Sequence, residues 1–232
     1  SDEFRLAVQT IEDSLSEGDI LTLQIETHGC DDGIWLNNGD ILKWKEFYDI
    51  IRPLNIKTGH LLFVVMAMCK SIAMISAINP EKRAPYRAFI CTTRVVTSNE
   101  IYRGFLAFYE KYFNMLDIMQ ALNALQNEVK DDNGYSPFQA LSAESVFDET
   151  FNPNRNISSL VDNQLKQLNI PITDSTKSIM AYYIQQLLGN LHNRFYNYYN
   201  FKDLYWYMTE LELQQDLLRE YPQENARCEW KE

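Results

Sequence analysis

The sequence lacks any block of basic residues. Its 232 residues include 21 Lys and Arg against 32 Asp and Glu, giving a formal net charge of −11 at pH 7. Proteins that bind nucleic acid or anionic membrane surfaces need basic patches facing the phosphates, so neither is an expected partner. The acidic surface is expected to keep the protein in solution by self-repulsion, although it would also suit basic peptide segments.

Metal-type cysteine spacing and long apolar runs are also missing. The four cysteines, Cys30, Cys69, Cys91 and Cys228, include no C-x-x-C pair, so we expect reduced thiols, no metal site and a cytoplasmic location. No apolar run approaches the ~20 residues that a membrane span needs. The amino terminus has no signal-like region and does not begin with Met, which suggests a processing boundary with further sequence upstream.

The chain changes character near residue 115. Before it, predicted helices and strands alternate. The helices cover 3–16 and 43–51, the strands cover 20–26, 61–67 and 86–91, and a short hairpin follows the first strand. This rhythm is typical of a mostly parallel sheet flanked by helices. From residue 98 onward the pattern predicts helices only. We therefore predict an α/β core over 1–130 and an all-helical C-terminal region over 131–232 packed on it.

The predicted helices of the second half follow capping and breaking signals. They cover 98–113, a segment carrying Met119, Leu122 and Leu125, two segments between 142 and 168 broken at 152–154, a long segment opened by 171–174, and 201–218. The long one has an apolar side that includes Ile179, Tyr182, Tyr183, Leu187 and Leu191. Aromatics at helical spacing are usually packing surface, so we interpret these tyrosines as core.

Two apolar runs each end in a reactive side chain. Thr27-His28-Gly29 closes the alternating run 20–26, and Met68-Cys69-Lys70-Ser71 closes the continuously apolar run 61–67. Parallel strands project functional groups from their carboxyl ends, where an imidazole could activate a thiol as nucleophile. Gly29 would let its backbone N–H approach a substrate carbonyl. The alternative, equally weighted on spacing alone, is a loop histidine and a buried apolar cysteine.

Several neighbouring segments resemble the bacterial caspase-like cysteine peptidases, including the CHAT group. These segments are 25–36, 38–41 with Trp44, 63–71, 88–93 and 107–109, and the resemblance covers residues 19–125. The resemblance implies a caspase-like fold and a cysteine endopeptidase that hydrolyses protein or peptide substrates through a thioester, without a cofactor. Cys69 would be the nucleophile and His28 the general base, with the Gly29 and Cys69 N–H groups forming the oxyanion hole.

The sequence departs from that family in places. Met68 stands where a small residue is common, Lys70-Ser71-Ile72 replaces the usual continuation, and the strands that normally precede the His strand are missing or lie upstream. The family also implies that the loop after strand 86–91 walls the substrate pocket, which makes Arg94 and Glu100 competing candidates for specificity. The alternative for Glu100 is stabilisation of the helix that starts near Ser98.

Remaining residues have simpler interpretations. We read Cys30 as incidental, Cys91 as a buried apolar cysteine, His60 as a surface residue, His192 as packed or solvated, and Asp31 and Asp32 as turn formers. The segments 70–86 and 92–99 look long and polar, which predicts a latent enzyme that needs an activating protein or upstream domain. The alternative functions are an inactive caspase-like module that binds or signals, and another thiol-dependent hydrolase or transferase.

Overall fold

A central sheet of four strands positions the chemistry-bearing loops. The computed structural model describes residues 2–16, 19–80 and 82–195. Its strands are β1 Leu21–Glu26, β2 Gly29–Cys30, β3 Gly33–Trp35, β4 Ile41–Lys43, β5 Leu62–Ala67, β6 Ala88–Thr92 and β7 Phe138–Ser142. The main sheet has the order β1-β5-β6-β7, with β1, β5 and β6 parallel and β7 antiparallel to β6. β2, β3 and β4 form a small antiparallel sheet after β1.

Helices cover both faces of the sheet. They are α1 Asp2–Ser14, α2 Trp44–Lys57, α3 Ser98–Met115, α4 Ile118–Glu128, α5 Ala143–Phe151, α6 Ser158–Gln167 and α7 Asp174–Phe195, and a 3₁₀ segment spans Ser71–Ala77. The predicted α/β class with a mostly parallel, helix-flanked sheet is therefore confirmed. Among the described residues, no helix combines the length and the apolar character needed to cross a bilayer.

Strand β5 divides the core into two layers. Val64 and Met66 pack into a cluster with α2 and α5, whereas Val65 and Ala67 pack with α3 and α4 on the opposite face. Side chains that alternate across a strand and are buried on both sides need a continuously apolar sequence. The run 61–67 predicted this burial correctly, and the rigid central strand fixes where the loop that follows it begins.

The second half of the chain corrects two predictions. The region predicted to be all-helical contains β7, which pairs with β6 from Ala88↔Ser142 to Thr92↔Phe138. This edge strand is five residues long and exposes Gln139 and Ala140, so it has no clear alternation. The helices α5, α6 and α7 themselves lie where they were predicted.

The buried face of α7 is also different from the predicted one. Ile184 and Leu188 are buried, while Tyr182 is 61% and Tyr183 65% exposed. Apolar residues occur on several sides of this helix, so periodicity could not decide which side meets the core. The predicted helix over 201–218 lies outside the described residues, as does Cys228.

Candidate functional site

His28 and Cys69 follow neighbouring parallel strands at the same level. β1 and β5 pair in register from Leu21↔Leu62 to Glu26↔Ala67, so each side chain lies two residues beyond the last pair. The loops touch, because a Cβ atom built on Gly29 would lie 2.4 Å from the carbonyl oxygen of Cys69. Only glycine allows this approach, and the loop carrying His28 therefore packs directly on the backbone of Cys69.

The turn that carries Cys69 is held by buried hydroxyl groups. Lys70 has a left-handed φ of 53°, which ends the strand abruptly and starts the 3₁₀ segment. Thr92 Oγ1 donates to the carbonyl of Met68 at 2.5 Å, and the Thr92 N–H donates to Ser71 Oγ at 2.9 Å. Thr92 and Ser71 are completely buried. Thr92 of strand β6 thus holds the residues on both sides of Cys69 in place.

The sulfur of Cys69 contacts the loop between β6 and α3. The Val96 N–H lies 3.4 Å from Cys69 Sγ, and the Cys69 thiol lies 3.4 Å from the Val96 carbonyl. Cys69 is partly buried and His28 is exposed. Among the residues that the structure describes, no hydrogen bond joins the His28 ring to this sulfur. The strands bring the two loops together, and the pairing of the imidazole with the thiol stays a prediction.

Two backbone N–H groups are available beside the cysteine. The Trp35 N–H donates to the His28 carbonyl at 2.9 Å, so the alternation of an antiparallel ladder leaves the Gly29 N–H pointing away from β3. The Met68 and Lys70 N–H groups donate to Met66 and Arg94 carbonyls. Within the described residues, no acceptor is assigned to the Cys69 N–H between them. This arrangement is compatible with the predicted oxyanion hole.

Sequence reasoning missed an ion pair that bridges the two loops. Lys70 Nζ donates to Asp31 Oδ2 at 2.8 Å, and this hydrogen bond raises the pKa of Lys70, with smaller contributions from Cys30 and Cys69. Lys70 therefore joins the turn that carries Cys69 to the turn between β2 and β3. The sequence predicts only a turn at Asp31, because an ion-pair partner 39 positions away in the chain leaves no local sequence pattern.

Arg94 and Glu100 bind each other. Arg94 Nη2 donates to Glu100 Oε1 at 2.7 Å, and the Thr97 N–H donates to Glu100 Oε2 at 2.7 Å. These two contacts hold the pKa of Glu100 at about 2. Thr97 and Glu100 form a capping box at the start of α3, as the alternative interpretation of Glu100 expected. The pocket role of either side chain stays a prediction.

A cavity of about 470 Å³ adjoins the Lys70–Asp31 bridge. Its lining includes Asp31, Asp32, Trp44, Lys45 and the end of the 3₁₀ segment. The Trp44 indole N–H donates to the Asp31 carbonyl at 3.1 Å, which fixes the loop against α2. Asp32 and Lys43 form an exposed ion pair at 3.4 Å. This concave surface therefore lies beside the turn between β2 and β3.

The other candidate residues have structural roles. Cys91 is fully buried, and this burial raises the pKa of its thiol to about 12, which confirms the apolar interpretation. His60 is 2% exposed, so its prediction as a surface residue is wrong. It lies beside Asn55, whose side-chain amide is 3.4 Å from His60 Nδ1. His192 lies 2.8 Å from Asp148 and packs against Phe147.

The described parts of the segments predicted to need a partner for ordering, 70–86 and 92–99, combine short elements with irregular stretches, and that need stays a prediction. Residues 71–77 form the 3₁₀ segment, and Val96 is buried in the loop before α3.

Within the described residues, no group of three or more His, Cys, Asp or Glu side chains is placed to hold a metal ion. Comparison with known protein families and with curated proteins finds no match.

Proposed function

We propose that this protein is a caspase-like cysteine endopeptidase in which Cys69 is the nucleophile and His28 the general base. The observation that carries the proposal is the contact between the two strand-end loops, with the Gly29 backbone lying against the Cys69 carbonyl. A register error of one residue would point these side chains to different faces of the sheet. The fold therefore supports one shared reaction centre.

The proposed reaction starts when His28 takes the proton of the Cys69 thiol. The thiolate then attacks the carbonyl carbon of a peptide bond, while the N–H groups of Gly29 and Cys69 donate to the oxygen that becomes negative. Collapse of this intermediate breaks the C–N bond, and His28 gives its proton to the departing amine. Water, deprotonated by His28, hydrolyses the remaining thioester and restores the thiol.

Movement of the Cys69 side chain is part of this proposal. In the resting geometry the sulfur is within hydrogen-bonding distance of Val96, and unliganded catalytic groups often pair only when substrate is bound. Rotation about the Cys69 Cα–Cβ bond would turn the sulfur from the β6–α3 loop toward the His28 loop. Substrate lying over Gly29 would favour the rotated form.

The test is labelling and cleavage with matched cysteine variants. An iodoacetamide probe and a peptide library are applied to the wild type, Cys69→Ala and Cys30→Ala. We expect Cys69→Ala to lose both cleavage and the fast labelling, whereas Cys30→Ala keeps most of each. Cleavage that survives in Cys69→Ala would contradict the proposed nucleophile.

A second candidate function is a caspase-like module that binds partners without catalysis. It is favoured by one observation, namely that Cys69 Sγ bonds to Val96 and not to the exposed His28. Fast labelling of Cys69 without any peptide cleavage would point to other thiol chemistry. Slow labelling without cleavage would support the binding module.

A further inference from the structure

The loop between β6 and α3 lies over the sulfur of the candidate nucleophile. Its Val96 backbone offers Cys69 both an N–H donor and a carbonyl acceptor, each at 3.4 Å. Val96 is 6% exposed, and Cys69 is partly buried. The position of the Val96 backbone therefore decides which hydrogen bonds the Cys69 sulfur makes with this loop.

Of the two Val96 groups, the N–H donor has the larger effect on the balance between thiol and thiolate. A neutral thiol is a weak donor, so its bond to the Val96 carbonyl contributes little. A thiolate receives a charge-assisted bond from the Val96 N–H, and such bonds are about twice as strong as neutral ones. Holding Val96 in place should thus favour the thiolate, which is the form that attacks.

One carboxylate fixes both ends of the Val96 segment. Glu100 accepts hydrogen bonds from the Arg94 guanidinium at 2.7 Å and from the Thr97 N–H at 2.7 Å and hydroxyl at 3.0 Å. Arg94 Nη1 donates in turn to the Val95 carbonyl at 2.8 Å. The Arg94 carbonyl accepts the Lys70 N–H at 3.1 Å, which joins the segment to the turn that carries Cys69.

We propose that Glu100 is a positioning residue that holds the Val96 N–H against the Cys69 sulfur and thereby sets the reactivity of the thiol. The proposal rests on the proposed function only in naming Cys69 as the working nucleophile. It assigns no substrate contact to Glu100. The low pKa of Glu100 agrees with it, since the carboxylate stays charged and bonded across the working pH range.

Other titratable groups lie on the elements around this thiol. They are His28 from the loop after β1, Cys30 from β2, Asp31 from the turn between β2 and β3, Lys70 from its own turn, and Arg94 from the β6–α3 loop. Asp131 adds a further negative charge near Arg94. All of them remain in a Glu100 variant, so a change in thiol reactivity reports the carboxylate and the segment that it holds.

The sign of the effect separates positioning from simple charge. Removing a negative charge near a thiol favours the thiolate, because repulsion between the two charges is lost. Removing the bonds that hold the Val96 N–H disfavours the thiolate. The two explanations therefore predict opposite shifts of the pH–rate profile for alkylation when Glu100 is replaced.

The experiment measures iodoacetamide labelling of Cys69 between pH 5 and 10. Cys30→Ala/Cys228→Ala serves as background, and the Cys69 peptide is followed by mass spectrometry. For Glu100→Ala we expect the profile to move to higher pH by about half a unit, which slows labelling at neutral pH about threefold. Glu100→Gln retains an acceptor for Thr97 and should show a smaller shift in the same direction.

Glu128→Ala is the matched control. Glu128 also pairs with an arginine, Arg103 on α3, at 2.6 Å, but it lies outside the β6–α3 loop. Its variant should keep the background profile even if both variants lose some thermal stability. A Glu100→Ala profile that is unchanged or moves to lower pH overturns the proposal, as does an equal shift in Glu128→Ala.

Failure of the proposed function would look different. If Cys69 labels with the expected Glu100 dependence but no peptide is cleaved, the peptidase proposal fails and the positioning role stands. If peptides are cleaved with an unaltered Glu100→Ala labelling profile, the positioning proposal fails alone. The labelling measurement requires no substrate and uses the full chain, so the two results are independent.

Discussion

Two histidines lie at opposite ends of the central sheet and show how differently the same side chain can be used. His28 follows β1 at the carboxyl end of the sheet and is exposed beside the Cys69 loop. His60 precedes β5 at the amino end, has a φ of 67° and is 2% exposed. Both nitrogens of the buried His60 ring face polar neighbours, Asn55 and Arg83, whereas the exposed His28 ring is open to solvent.

The surroundings of His60 have a large effect on its protonation. Burial, together with the nearby charges of Arg83 and Arg87, lowers the pKa of His60 to about 3. His60 is therefore neutral at physiological pH and unsuited to exchange protons with a substrate. The comparison predicts that replacing His28 changes reactivity, while replacing His60 changes the response of folding to pH.

The largest expected effect is the loss of turnover in His28→Ala. Removing a general base costs 10²–10⁴-fold in rate, so we expect kcat/KM for peptide cleavage to fall by about that factor. The free energy of unfolding should change by less than about 0.5 kcal/mol, since the side chain is exposed. Peptide cleavage and urea unfolding measure the two quantities. A large stability loss with normal cleavage would reverse the roles assigned to the two histidines.

Gly29→Ala should break the contact on which the site depends. A Cβ atom there would lie 2.4 Å from the Cys69 carbonyl oxygen, and the backbone must move to relieve this overlap. We expect cleavage to fall about 100-fold and stability by about 1–3 kcal/mol, which is typical of overpacking.

Gly189→Ala serves as the control for this substitution. A Cβ atom at Gly189 meets its nearest neighbour, Pro153, at 3.7 Å, which is ordinary contact distance. Alanine in the helix α7 should leave cleavage unchanged and add a few tenths of a kcal/mol or more to stability. Equal behaviour of the two variants would contradict the close approach at Gly29.

His60 should make folding sensitive to acid. The unfolded chain takes up a proton at this residue below about pH 6.5, whereas the folded chain does not until about pH 3. More protons are then bound by the unfolded state, so stability falls with decreasing pH, by up to about 1.4 kcal/mol per pH unit in this range. Glu100 contributes in the same direction only below its ordinary value near 4.5.

The measurement compares urea unfolding of the wild type and His60→Asn at several pH values from 4 to 8. Asparagine tolerates the left-handed backbone and does not titrate. We expect a flatter dependence between pH 4.5 and 6.5 for the variant, and little change in cleavage at pH 7. Identical slopes would show that another group is responsible for the acid sensitivity.

The sequence predicted the parts of this site that depend on local pattern. The alternating run of β1 and the continuous run of β5 placed His28 and Cys69 at strand ends, since a parallel sheet buries its central strand on both faces. It could not predict that His60 is buried, because Arg83 reaches it from 23 positions further along the chain. The Lys70–Asp31 pair was missed because it joins two loops 39 positions apart, which only the tertiary fold brings together. The Arg94–Glu100 pair is local and depends on how the β6–α3 loop enters α3.

The smallest expected effect comes from Asp31→Asn, and its direction is informative. Asp31 pairs with Lys70 in an exposed ion pair, so its loss should cost less than about 1 kcal/mol. The Lys70 ammonium would then lie near the Cys69 sulfur without its carboxylate partner. An unneutralised cation favours the thiolate, and we expect labelling of Cys69 at neutral pH to become about twofold faster.

This acceleration should disappear in about 1 M salt, where charges are screened within ~3 Å. Asp32→Asn is the control, since its carboxylate pairs with Lys43 on the far side of the loop. Removing the Asp31 carboxylate would thus make the Cys69 thiol react faster, because this carboxylate neutralises a cation. Removing the Glu100 carboxylate would make the thiol react more slowly, because this carboxylate holds a backbone donor in place. If Asp31→Asn and Glu100→Ala both accelerate labelling, charge alone accounts for the reactivity of Cys69.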